Sequence, residues 1–181
     1  MFIKLNTRRH LIGASLVEYL FGLAIGGIVL AATASMTLYT ARSFAALENY
    51  ADLDDKSRNA LDIMTRDIRQ VDSLTSFATN RLDFLDADGV STLSFVYDSA
   101  ARTLTRVTPS TRTVLLSECD TLSFAMFQRN PIAGTFDQFS NTLSAATCKL
   151  VQVNWTCSRS ILQGKVNTES VQTSKIVIRK Q

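Results

Sequence analysis

The sequence is poor in the residues that most enzymes and metal sites need. It has one histidine, His10, two prolines, Pro109 and Pro131, one tryptophan, Trp155, and seven glycines in 181 residues. With its lone imidazole at the start, the rest of the chain has no histidine to serve as general base or metal ligand. There is no G-x-S-x-G elbow and no glycine-rich phosphate loop, so catalysis is not expected. The three cysteines, Cys119, Cys148 and Cys157, lack the paired CxxC spacing of a zinc site. No metal or cofactor is therefore expected. The formal charge of +3 rests on Lys4, Arg8 and Arg9; without them basic and acidic side chains balance at 16 each. That balance leaves no electrostatic footprint for nucleic acid.

Charge is also missing from one long stretch. Tyr19 to Ala41 is 23 residues without a charge. As a helix it would run roughly 35 Å, enough for a hydrocarbon core of about 30 Å. A basic leader with Lys4, Arg8, Arg9 and His10 precedes it, so the positive-inside rule leaves the N-terminus in the cytoplasm and sends the body across. The apolar run is longer than the core of a removable secretory signal, although Ala31-Ala32-Thr33-Ala34 offers small residues for cleavage. Glu18 stands at the edge of the span. A carboxylate there costs a few kcal/mol unless it reaches headgroups or finds a cation. An amine freed by cleavage after Gly13, on the same chain or on a neighbouring copy, would supply that cation.

Gly13-Ala14-Ser15-Leu16-Val17-Glu18-Tyr19-Leu20, set between a basic leader and an uncharged run, resembles the class III signal of type IV pilins and type II secretion pseudopilins. The resemblance implies cleavage after Gly13 by a prepilin peptidase and N-methylation of Ala14. It also implies that Glu18 pairs with the N-terminal amine of a neighbouring subunit during assembly. Ala14 stands where phenylalanine is commonest, and Tyr19 where an aliphatic residue is usual. The absence of a helix proline leans towards a minor subunit. Gly22 and Gly26 form a small-xxx-small pair. It can be read as packing between subunits or as glycine tolerated in a membrane helix.

No breaker occurs between Thr40 and Val71, so the helix is expected to continue from near Ala14 to near Asp72. Phe44, Leu47 and Ala51, then Leu61, Met64, Ile68 and Val71, predict one amphipathic stripe. Asp52, Asp54, Asp55, Lys56 and Arg58 predict a solvated charged face or a contact with neighbouring subunits. Ser57 to Gln70, with its R-N-A-L and R-D-I-R segments, resembles the helix end of J-type minor pseudopilins and W-type minor pilins.

Beyond Ser73 the period is two. Leu93-Phe95-Tyr97, Leu122-Phe124-Met126, Val151-Val153-Trp155-Cys157 and Ile176-Ile178 predict half-buried antiparallel strands. Leu82–Leu85, Thr103–Val107 and Thr111–Leu116 are further strand candidates, and Asp86-Ala87-Asp88-Gly89 predicts a turn. Asp83, Asp86 and Asp88 supply too few oxygens for calcium. The order Asp88-Gly89, Leu93-Ser94-Phe95, Leu104-Thr105-Arg106 loosely resembles the J-type body. Asn130–Thr147 and Ser158–Ser174 read as long polar loops, where specificity for a neighbour or client is expected. An odd cysteine count allows one disulfide or none. Cys148 and Cys157 would lie about 30 Å apart in one continuous strand. Cys119 with either remains open, as does a free Cys157 packed beside Trp155.

The expected architecture is α+β and pilin-like: a leader over 1–13, a transmembrane helix over 14–41, an amphipathic extension over 42–72 and a β-rich periplasmic body over 73–181. The expected function is that of a minor pilin or pseudopilin near the tip of a pilus or secretion pseudopilus. The expected partners are prepilin peptidase, other pilin subunits and the bacterial inner membrane. The competing expectation is a membrane-tethered binding module that never enters a filament.

Overall fold

The computed structural model describes residues 15–86, 88–130, 132, 138–160 and 169–180. The chain divides into two units, Met1–Ser43 and Phe44–Gln181. One helix, α1, runs over Leu16–Gln70, a length of 55 residues. It starts where Ser15 can cap it: the Ser15 carbonyl and hydroxyl both accept the Glu18 N–H, at 2.9 and 3.3 Å. It ends where the chain enters the sheet, as the Asp72 N–H turns to the carbonyl of Leu85 at 2.9 Å.

In the first unit every described residue is exposed except Gly26 and Ser43, which are half-covered. Leu16, Leu23, Leu30 and Met36 all stand free.

The second unit is an α+β body. Its strands are β1 (Ser73–Ala78), β2 (Arg81–Leu85), β3 (Thr92–Asp98), β4 (Thr103–Val107), β5 (Arg112–Leu116), β6 (Cys119–Arg129), β7 (Phe139–Asn141), β8 (Leu150–Ser158) and β9 (Glu169–Val177). They form two antiparallel sheets, ordered β1-β2-β3-β4-β5 and β7-β6-β8-β9. The period-two pattern foresaw most of these strands, but it suggested a single sheet. The split falls between β5 and β6, where Glu118 takes a left-handed φ of 61°. Strands β1 and β7 lie where none was expected, and β9 reclaims the end of the supposed Ser158–Ser174 loop. Residues 161–168 of that loop lie outside the described residues, as do 131 and 133–137 of the other.

The helical stripe also needs correction. Leu53, Ser57, Ala60, Met64, Asp67 and Ile68 are buried, spaced by three and four. Phe44, Leu47 and Ala51 are exposed, and Leu61 is half-buried. The buried stripe joins both sheets in one core with Phe84, Phe95, Leu104, Leu116, Val153, Trp155 and Ile176. Phe84 and Phe95 meet edge to face, ring centroids 6.3 Å apart. Residue 87 of the expected Asp86–Gly89 turn lies outside the described residues; its flanking residues have turn geometry. The Gly89 N–H bonds the Asp86 carbonyl at 3.0 Å, and Gly89 has a φ of 71°, a conformation that favours glycine.

Candidate functional site

In the first unit the glycines and Glu18 share one side of α1. Glu18, Gly22 and Gly26 recur every four residues, and with Gly27 they floor an open groove walled by Tyr19, Leu23 and Leu30. A Cβ built on Gly22, Gly26 or Gly27 would meet nothing within 4 Å. The fold of the single chain therefore does not require these glycines. They remove side chains from a helix face, and that lets another backbone come close.

The start of the helix has a local feature that the sequence reading missed, a cap by the Ser15 hydroxyl. Ser15-Leu16-Val17-Glu18 has the spacing of a capping box, with Ser15 at the cap and Glu18 at the third helical position. A carboxylate in the first turn also complements the positive end of the helix dipole. The S-x-x-E spacing was the signal available for it. Gly13 and Ala14, the expected cleavage and methylation positions, lie outside the described residues.

The polar side chains of the apolar stretch have little need of water. The Thr33 hydroxyl donates to the Val29 and Leu30 carbonyls at 3.1 and 3.0 Å. Ser35 donates to Ala31, Thr37 to Thr33 and Thr40 to Met36, each at 2.8 Å. Hydroxyls satisfied in this way enter hydrocarbon at low cost. By length and composition α1 contains a segment able to cross a membrane.

In the second unit polar bonds fasten the helix to the sheets. The Trp155 indole N–H donates to the buried Ser57 hydroxyl at 3.3 Å. Arg106 on β4 donates through Nε to Asp67 at 2.5 Å, and both side chains are largely covered. This pair joins the two segments that carry the J-type resemblance, R-D-I-R and L-T-R. Arg159 forms the third fastening: it binds Glu118 by a fork with both Nε contacts at 3.0 Å, Asn49 at 2.9 Å and Asp52 at 3.0 Å. Hydrogen bonding from the Arg159 guanidinium holds the Glu118 carboxyl below its ordinary range. Asp52 is held low by hydrogen bonds from Lys56 and then Arg159. The charged patch therefore contributes to docking: Asp52 and Asp54 pair with Lys56 and Arg58 along the helix, and Asp54 also receives Gln172 of β9 at 3.2 Å.

Asp83 and Asp88, weighed as calcium ligands, have other partners. Asp83 pairs with Arg81 at 2.9 Å and accepts the Ser94 hydroxyl at 2.6 Å. Asp88 accepts the Val90 and Ser91 amides at 2.9 and 2.7 Å, and these bonds with the Ser91 hydroxyl lower its carboxyl.

All three cysteines are buried thiols. Cys119 on β6 stands opposite Cys157 on β8. Cys157 is lowered by hydrogen bonds from Cys119 and Ser57, while Cys119 is pushed up by its bond to Cys157 and by burial. Cys148 lies just before β8, and burial raises its thiol.

No family model, curated protein or solved structure matches the chain.

Proposed function

We propose that this chain is a non-catalytic, membrane-anchored subunit of the minor pilin or pseudopilin kind. In this reading a prepilin peptidase cuts after Gly13 and methylates Ala14. The span holds the subunit in the inner membrane, and the β-rich body stands on the periplasmic side. Other pilin-type subunits then pack against the glycine groove.

The observation that carries the reading is the bare apolar half of α1. Its large side chains are exposed, its hydroxyls bond their own backbone, and Glu18 heads a groove with no intrachain purpose. Such a surface must be covered by lipid, by another helix or by each in turn. A helix that is first extracted from lipid and then buried among its copies meets both demands. In that packing the new amine of Ala14 on one copy neutralises Glu18 on the next.

The test is mass spectrometry of the mature N-terminus from the native host. N-methyl-Ala14 is expected. A chain that keeps Met1 would replace the subunit with a tethered binding module, and a start near Ser35 would replace it with a secreted protein. Substitution at Glu18 then separates cap from assembly. Glu18→Gln keeps the side chain's size and leaves the backbone bonds to Ser15 in place while removing the charge, so membrane insertion is retained and incorporation into assemblies is lost. Wild-type incorporation of Glu18→Gln would remove the proposed ion pair.

A further inference from the structure

The seam between β6 and β8 places two thiols where a covalent bond fits. Antiparallel strands alternate between residue pairs that exchange hydrogen bonds and pairs that do not. Next to the cysteines, the Ser158 N–H donates to the Glu118 carbonyl at 3.0 Å, which marks the Glu118–Ser158 position as a bonded one. The Cys119 N–H donates instead to the Arg102 carbonyl at 2.9 Å, away from β8. Cys119 and Cys157 therefore face each other at a non-bonded position. Residues directly opposite on antiparallel strands have Cα atoms about 4.5–5.5 Å apart, inside the span of roughly 4.4–6.8 Å that a disulfide bridges; the register shifts just beyond the pair, between Cys119 and Thr121. Both side chains are buried in one core, and the Cys119 thiol donates to the Thr121 carbonyl at 3.3 Å.

The surroundings pin this geometry. Arg102 Nη2 donates to the Glu118 carbonyl at 3.1 Å and the Ser158 carbonyl at 2.9 Å, and meets Asp120 at 2.5 Å. The Tyr97 hydroxyl donates to the carbonyls of Cys119 and Asp120 at 3.1 and 2.8 Å. Arg102 and Glu118 both have left-handed backbones, with φ of 54° and 61°. Strained positions of this kind persist only where their surroundings over-determine them. Cys148 is out of reach. It lies just before β8, whose nine residues from Leu150 to Ser158 span about 30 Å at strand rise, with Cys157 near the far end. Its end of β8 pairs with Phe127, far along β6 from Cys119.

We propose that Cys119 and Cys157 form a disulfide that staples β6 to β8 and that Cys148 remains a thiol; formation in the cell rests on the periplasmic placement proposed above. The oxidant is a disulfide, carried by a protein or a small molecule of that compartment. A thiolate of the pair attacks one sulfur of the oxidant, breaks its S–S bond and releases one thiolate, which takes up a proton. The second cysteine, deprotonated, attacks the mixed disulfide at its partner's sulfur. The Cys119–Cys157 bond forms and the oxidant's second thiol leaves. The pair gives up two protons and two electrons, and the oxidant gains both. Cys119 and Cys157 are 0% and 1% exposed, so the exchange accompanies folding and the finished bond is sealed from reductants.

The test takes the full chain in detergent, unfolds it in reductant, refolds it in a glutathione redox buffer and maps thiols by alkylation and mass spectrometry. A Cys119–Cys157 cross-linked peptide with alkylated Cys148 is expected, and Cys148→Ser should leave the cross-link in place. The denaturation midpoint should fall when the bond is reduced in the unfolded chain before refolding. A bridge through Cys148, or three alkylated cysteines, overturns the proposal. Topology is read separately, with a C-terminal reporter enzyme active only outside the cytoplasm. A silent reporter refutes the functional reading and leaves the refolding result standing. An active reporter on a chain whose Cys119 and Cys157 are isolated reduced overturns the disulfide.

Discussion

Leu23 and Met64 belong to the same helix and are similarly apolar, yet Leu23 is 74% exposed and Met64 is 0% exposed. Helical periodicity does not separate them. What separates them is the neighbouring chain. From Leu53 onward the helix has a stripe of apolar and small residues that two sheets cover. From Tyr19 to Ala41 it carries no charge on any side, and its large side chains are uncovered. A one-sided stripe is the mark of a helix buried within its own chain, whereas all-round apolarity calls for a surrounding that is itself apolar. At about 25 cal/mol per Å² of apolar surface, exposing such a segment to water is costly. The two parts therefore meet different demands, and substitutions should separate them.

The largest effect is expected where a side chain is fully enclosed. Met64→Ala removes a buried side chain between helix and sheets and should destabilise the body by about 2–5 kcal/mol. Leu23→Ala should leave the body's unfolding unchanged within about 0.5 kcal/mol, because no described residue of the body packs on Leu23. Thermal or denaturant unfolding of both variants in detergent, followed through the β signal, checks the contrast. Equal destabilisation would mean that the bare segment is part of the same folding unit as the body.

The next largest effect lies at Asp67 and Arg106. Arg106→Met leaves the nearly buried Asp67 carboxylate without its 2.5 Å partner. The loss should be about 2–3 kcal/mol, below that of a wholly buried pair because Arg106 keeps 27% of its side chain exposed. Asp67→Leu combined with Arg106→Met should recover much of it. A double-mutant cycle on the unfolding midpoint measures the coupling, and simple additivity would show that the pair holds nothing together.

The glycine groove reverses the expected sign. Gly22→Ala and Gly26→Ala put methyl groups into open space and should favour the isolated helix by about 0.5–1 kcal/mol each. If the groove receives another helix, the same substitutions should weaken self-association in the membrane, read by cross-linking. Greater helicity with unchanged cross-linking would assign the groove to no partner.

How far these features were legible in the sequence follows from their range. The extent of α1 was readable because an uninterrupted run needs only local information. The reach of the sheets along it was not: Phe44, Leu47 and Ala51 have the right spacing, but cover begins only near Leu53. Ser57 was overlooked as a core residue because its polarity is offset by Trp155, 98 residues away. Strand β1, Ser-Leu-Thr-Ser-Phe-Ala, hides its nature because it is an edge strand with only Leu74 buried. The cysteine arrangement depends on register across β6 and β8, which spacing along the chain does not encode. The Glu18 motif was readable as a resemblance, while its capping geometry was present in the sequence and passed over.

The smallest effect concerns acid. Glu118 and Asp52 both have carboxyls lowered in the folded chain, chiefly by hydrogen bonds from Arg159 and from Lys56 respectively. A carboxylate with a lowered folded-state pKa binds fewer protons when folded than when unfolded. Its contribution is complete above the unfolded value, about 4, and is lost as pH falls through the lowered folded value. The unfolding midpoint should therefore be insensitive to these groups from neutral pH down to about 5 and should decline below about 4. Arg159→Ala should make that acid limb shallower, and its neutral-pH cost should be small because the partners are solvent-accessible. Met64→Ala should displace the whole profile downward without altering its slope. An acid limb unchanged by Arg159→Ala would mean that the clamp on the helix carries no measurable charge coupling, leaving the apolar stripe and the Asp67–Arg106 pair to hold this part of the helix on the sheets.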